Sequence, residues 1–177
     1  MAVLLYLVCD VSMSVTSDLE QLNEDLGEFR RALLADPTGA ASRLSVIAFS
    51  GTAEVLLPLS PVVEIAEMPL LRPGSATNFG PAFTLLRETM ARDLDGLAAV
   101  ERRPAVLFLS DGQPSDPASW PPTYADLAAL GPVVVALAVG EAELSTLRRI
   151  GTGGVVRRRA LVGPGTALVS WVRELTR

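Results

Sequence analysis

The sequence predicts an α/β protein with a doubly wound, mostly parallel central sheet, one antiparallel edge strand and helices on both faces. Three observations carry this expectation. Two runs, "AVLLYLV" at residues 2–8 and "AVLFLS" at residues 105–110, are apolar almost without a break, and each leads into an acid, Asp10 and Asp111. Continuous apolar runs suit strands covered by helices on both faces. Stretches with helical spacing alternate with such runs along the chain, which is the pattern of a parallel sheet. Finally, "RLSVIAFS" and "AEVLLPL" are separated only by a short "GT" turn, so they form an antiparallel hairpin, and Pro58 sends its second strand to an edge.

Each element follows in order. Val3 to Cys9 is a central strand. Asp18 to Ala35 carries Leu19, Leu22, Leu26, Phe29, Leu33 and Leu34 at intervals of three and four, an amphipathic helix that Ser17 or Asp18 can cap. After the hairpin, residues 65–80 are irregular and rich in Pro and Gly, and lead into a helix from about Pro81 to Leu94, where proline suits the first turn. The "AVLFLSD" strand precedes a helix over Tyr124 to Leu130, the strand "VVVALAVG", a helix near Glu141 to Ile150, a short strand at Val155 to Arg157 and a closing helix from Gly165. With 177 residues, and neither a linker nor a low-complexity segment, residues 1–177 read as one Rossmann-like domain.

Composition narrows the chemistry. The chain has no His and no Lys; all fifteen basic residues are Arg, and Cys9 is the single cysteine. Imidazole, amine, internal disulfide and thiolate-zinc chemistry are therefore excluded. A net charge of −5 argues against a nucleic-acid binder, although "VVRRRA" with Arg148 and Arg149 makes a local basic cluster. No apolar run reaches the roughly 20 residues of a membrane-spanning helix. The opening run lacks a basic start and a small-residue cleavage site, so it reads as a strand, and a reducing cytoplasm is the expected location.

The acids raise the functional question. In an open parallel sheet, ligands bind beyond the carboxyl ends of the strands where strand order reverses. If the two acid-terminated strands are neighbours, Asp10 and Asp111 converge there. Ser12 and Ser14 follow Asp10 in "DVSMS", and Thr77 lies in the loop "PGSATNFG". This set offers only oxygen, the ligand of hard divalent cations. Simpler roles are open to each residue: Asp10, Ser12 and Ser14 as caps, Thr77 as a loop hydroxyl, Asp111 before Gly112 as a turn.

Those residues resemble the metal-ion-dependent adhesion site of von Willebrand factor A (vWA) domains, written DxSxS followed by a distant Thr and a distant Asp. The order of elements agrees along essentially the whole chain. Within that family, "LSVIAFSGTAEVLLPLSP" and "LFLSDGQPSD" look like the bacterial intracellular, TerY-like tellurite-resistance branch, while Met13 stands where many members have Gly. The resemblance implies that Ser12, Ser14 and Thr77 coordinate a divalent cation directly, with Asp10 and Asp111 acting mainly through waters. Magnesium is the expected ion, with manganese or calcium as alternatives. An acidic group of a partner protein would complete the shell, with no nucleic acid or membrane involved. Met13, Phe79 and Trp120 would either lie at the rim and touch that partner or pack locally. Asp116 reads as a turn or capping residue and not as a ligand.

The expected function is therefore a binding module and not an enzyme. The alternatives are a magnesium-dependent phosphoryl-transfer or hydrolytic enzyme with Asp10 as nucleophile, and a scaffold whose site is empty. The enzyme lacks any Lys or His to assist a leaving group, and position 12 is Ser where aspartate-nucleophile phosphatases have a second Asp. A dinucleotide-binding role needs a glycine-rich turn after the first strand, which "DVSMSV" does not have.

Overall fold

The first apolar run forms β1 (Leu4–Asp10), in which every residue is buried. In this computed structural model, which describes residues 3–97, 104–157 and 167–174, β1 pairs in parallel with β2 (Arg43–Phe49) on one side and β4 (Pro104–Ser110) on the other. β3 (Ala53–Pro61) runs antiparallel to β2 at one edge, with irregular register between Leu44 and Ile47. β5 (Val133–Ala138) and β6 (Gly154–Arg157) extend the opposite side in parallel. The order β3-β2-β1-β4-β5-β6 reverses direction between β1 and β4. The expected crevice therefore opens between the two acid-terminated strands.

Among the described residues six helices flank the sheet: α1 (Leu19–Ala35), α2 (Pro37–Ala40), α3 (Phe79–Leu94), α4 (Trp120–Ala128), α5 (Leu144–Ile150) and α6 (Ala167–Glu174). Side chains alternate across a strand, so β1 serves two cores. Leu5, Leu7 and Cys9 pack with Leu22, Leu26 and Phe29 of α1 and Val172 of α6. Tyr6 and Val8 face α3, α4 and α5, where Phe49, Phe79, Phe83, Phe108 and Trp120 gather. No helix among the described residues is long and apolar enough to cross a membrane.

Element boundaries moved for local reasons. A 3-10 turn over Met13–Asp18 feeds directly into α1; Asp18 is already near-helical, and neither it nor Ser17 caps with its side chain. Pro37 and the Asp36 carboxylate, which accepts from the amides of Thr38 and Gly39, create the unforeseen α2. α4 starts at Trp120 because prolines 121 and 122 are tolerated in a first helical turn. The closing helix is described from Ala167, so its expected start at Gly165 lies outside the described residues.

Candidate metal centre

The site is assembled at the carboxyl end of the parallel strands, from the segments that follow β1 and β4 and from the loop that returns there from the far end of antiparallel β3. Asp10 is the last residue of β1, and Asp111 follows β4 directly. Asp10 is 1% exposed, and both of its oxygens are engaged. Oδ1 accepts from the Ser12 amide at 2.9 Å and Oδ2 from the Ser110 hydroxyl at 2.6 Å. The Ser12 and Ser14 hydroxyls lie 3.1 Å apart, the first buried and the second exposed. One mouth of the crevice is thus lined by hydroxyls held by a buried carboxylate.

The Thr77 loop is laid against this end of β1. The Gly74 amide donates to the Val11 carbonyl at 2.6 Å, and the Met13 amide donates to the Ser75 carbonyl at 3.1 Å. Thr77 itself is buried, and its backbone is tied to the loop after β4: its amide donates to Ser115 Oγ at 3.2 Å, and its carbonyl accepts from the Ser115 amide at 2.7 Å. Beside it, the Asp116 carboxylate accepts from the amides of Phe79 at 2.9 Å and Gly80 at 2.8 Å, capping α3 from a distant segment. This explains why α3 begins two residues before Pro81. A carboxylate at a helix N-terminus satisfies orphan amides and meets the positive end of the dipole.

Asp111 completes the ring. Its Oδ1 accepts from the Gln113 amide at 3.0 Å, and its carbonyl accepts from the Glu143 amide at 2.7 Å. Gly112 between them has φ +73°, and a Cβ there would meet the Glu143 carbonyl oxygen at 2.5 Å, so the turn requires glycine. Asp111, Ser14, Asp18 and Glu141 line a neighbouring cleft of about 350 Å³, which leaves the site open on one side.

Electrostatically, the centre disfavours uncompensated negative charge. Burial pushes the Asp10 carboxyl above the usual carboxylate range; hydrogen bonds from Ser110 and Ser12 oppose this, and the Asp111 charge adds to it. Arg31 pairs with Glu28 on the exposed side of α1, and among the described residues no arginine forms an ion pair with Asp10 or Asp111. Two buried acids beside clustered hydroxyls present only hard oxygen donors, which fits magnesium, manganese or calcium. No three His, Cys, Asp or Glu side chains converge as a ligand group among the described residues, so a cation would depend on the hydroxyls. The adjacent Cys9 thiol is buried and pushed up to about 12, by burial first and by Asp10 second, which keeps it protonated and inert.

The structure thus brings Asp10, Ser12 and Ser14 together and sets Thr77 and Asp111 on loops bounding the same crevice. Of the three candidate rim residues only Met13 is at the surface, 72% exposed. Phe79 and Trp120 do not face a partner. Both are buried in the aromatic core, with ring centroids 5.9 Å apart, and Phe79 meets Phe108 edge-on at 5.1 Å. α3 starts at Phe79 and α4 at Trp120, and each helix turns its first aromatic inward. Sequence reasoning missed Ser110 as a support of Asp10. Its signal was present, a hydroxyl beside an acid at a buried strand end. Ser115 and the target of the Asp116 cap carried no local signal, since their partners lie more than 35 residues away.

No protein-family model and no curated protein sequence matches the chain. Solved structures do. Proximal thread matrix protein 1 from the mussel byssus superposes with a TM-score of 0.73 at 20% identity over 99% of this chain. The fold is that of a von Willebrand factor A domain. A form of the mussel protein with a zinc-occupied MIDAS motif gives 0.72 at 18% identity. A von Willebrand factor type A structure from Catenulispora acidiphila gives 0.65 at 17% identity, covering 99% of this chain and 42% of that one. Manganese-loaded TRAP from Plasmodium vivax gives 0.61 at 14% identity, covering 85% of this chain and 62% of that one. This chain spans about half the length of the mussel protein, 48%.

Proposed function

We propose that this chain is a metal-dependent protein-binding module, in which Ser12, Ser14 and Thr77 hold a divalent cation and Asp10 and Asp111 support it through hydrogen-bonded waters. The single observation that carries this reading is the convergence of two buried carboxylates, without an arginine partner among the described residues, with paired serine hydroxyls at the reversal point of the sheet. Neutral hydroxyl ligands leave most of the ion's charge unspent. An acidic side chain from a partner protein would then complete the shell, entering beside exposed Met13 and Ser14. The ion would supply the electrostatic anchor, and the chain's own groups orient it.

A binding role fits these residues better than catalysis. A nucleophilic Asp10 has to reach an incoming substrate directly, whereas its carboxylate is 1% exposed and held by hydrogen bonds from Ser12 and Ser110. Magnesium is our proposed ion. The mussel protein has a zinc-occupied form and the Plasmodium vivax protein a manganese-loaded one. A cytoplasmic location and a TerY-like role in a tellurite- or stress-response system are likewise proposals, resting on the sequence resemblance. Isothermal calorimetry with magnesium and manganese, on wild type and Asp10→Ala, tests the reading. Saturable binding lost in the variant supports it; equal binding by both refutes it.

A further inference from the structure

The basic cluster noted in the sequence is not used by the metal centre, and the fold gives Arg148, Arg149 and Arg157 of it a place. Between Leu144 and Arg173 the chain has six Arg and no Asp or Glu, whereas the remainder has nine Arg and twenty acids. Within this acid-free stretch α5 packs against β6, and Arg148 from the helix and Arg157 from the strand line one open cavity of about 400 Å³. Its other walls are apolar or backbone: Ala138, Leu144, Val155 and the glycines 151 and 154. No carboxylate of the described residues lines it. Among the described residues neither arginine has an ion-pair partner, and the nearest acid in sequence is exposed Glu143 at the N-cap of α5, whose carboxyl is lowered by hydrogen bonds at Ser145 first and by the Arg148 charge last.

Arg149, next in sequence, is committed elsewhere. Its guanidinium lies 4.6 Å from the Trp120 ring centroid, a cation–π contact. Arg148 and Arg157 are therefore two uncommitted guanidinium forks over an apolar floor. Guanidinium forks favour oxyanions that accept bidentately, carboxylates and phosphates, and the cavity volume falls in the range of small-molecule sites.

We propose that the cavity between α5 and β6 binds a small organic anion, a phosphate or carboxylate carried on an apolar body. The head group pairs with Arg148 and Arg157, and the body covers Leu144 and Val155. The site is separate from the metal centre: Arg157 pairs with Ala138 and Ala138 with Ser110, so it stands two strand spacings, roughly 10 Å, from the support of Asp10.

The test is calorimetric titration of the whole chain, in chelator, with phenyl phosphate, benzoate and inorganic phosphate, repeated on Arg148→Gln, Arg157→Gln and the distant control Arg87→Gln. The expected result is saturable binding of phenyl phosphate or benzoate, tighter than inorganic phosphate, and weakened at least about tenfold by either cavity variant but not by the control. The better of the two organic probes identifies the head group. Absence of binding by both organic probes, binding of inorganic phosphate as tight as phenyl phosphate, or equal binding by the cavity variants overturns the proposal. Because divalent ions are removed by the chelator, probe binding is read without the metal centre in play, and failure here is distinguishable from failure of the metal reading.

Discussion

The centre and the edge of this sheet handle charge in opposite ways. At the β1–β4 junction two carboxylates are almost wholly buried, and side-chain and backbone hydrogen bonds fix them. At the α5–β6 edge two arginines stand exposed around an open cavity, without carboxylate partners among the described residues. The difference teaches where organisation is compulsory. A buried charge must be held and compensated or it destabilises the fold, while an exposed guanidinium keeps its water and can stay unpaired at little cost. The centre should therefore be sensitive to every supporting contact, and the edge tolerant.

The largest effect should come from the aromatic packing beneath the centre. Phe108 is fully buried in β4 between Phe49 and Phe83, at centroid distances of 5.3 and 5.2 Å. Phe108→Ala should cost about 3–5 kcal/mol in urea unfolding; a loss as small as that of an edge variant would break the contrast. Next is Ser110→Ala, which strips the hydroxyl from Asp10 and removes the acceptor of the Gly112 amide. Cation affinity should fall about 10–100-fold by calorimetry, as when a partner orienting a ligand is lost. Asp116→Ala removes the cap of α3 and loosens the Thr77 loop, for about 1–2 kcal/mol of stability, and Asp116→Asn should recover part of it.

A pH series sharpens the comparison further. The folded state raises the Asp10 carboxyl above its ordinary value of 3.8, so the native chain holds that proton more tightly than the unfolded chain does. Without metal, the Asp10 contribution to stability should be most favourable below that value and decline as pH rises through the interval up to the raised one. Saturating divalent cation should flatten this decline, because it compensates the carboxylate. At the small end, Met13→Ala and Arg157→Gln should each shift stability by no more than about 0.5 kcal/mol, as exposed residues do.

Much of the architecture was legible because burial leaves a plain mark in sequence. The unbroken apolar runs of β1 and β4 located the centre of the sheet, and Pro58 located its edge. The acids, the two serines and Thr77 were found from spacing and strand context. What escaped reading depends on contacts between distant segments. Asp116 looks like a local turn residue until its carboxylate is seen on the first amides of α3. Phe79 and Trp120 looked like rim residues because both are near the site in sequence. Their burial follows from how α3 and α4 face one another, which no local pattern encodes.

The central claim is that Asp10 and its hydroxyl neighbours form a cation site. The most direct measurement is magnesium and manganese calorimetry on wild type and Asp10→Ala, with circular dichroism confirming that both are folded. The account predicts saturable binding of a divalent ion by wild type and none by the variant. Equal binding by both proteins, or none by folded wild type even with an acidic ligand present, would contradict it.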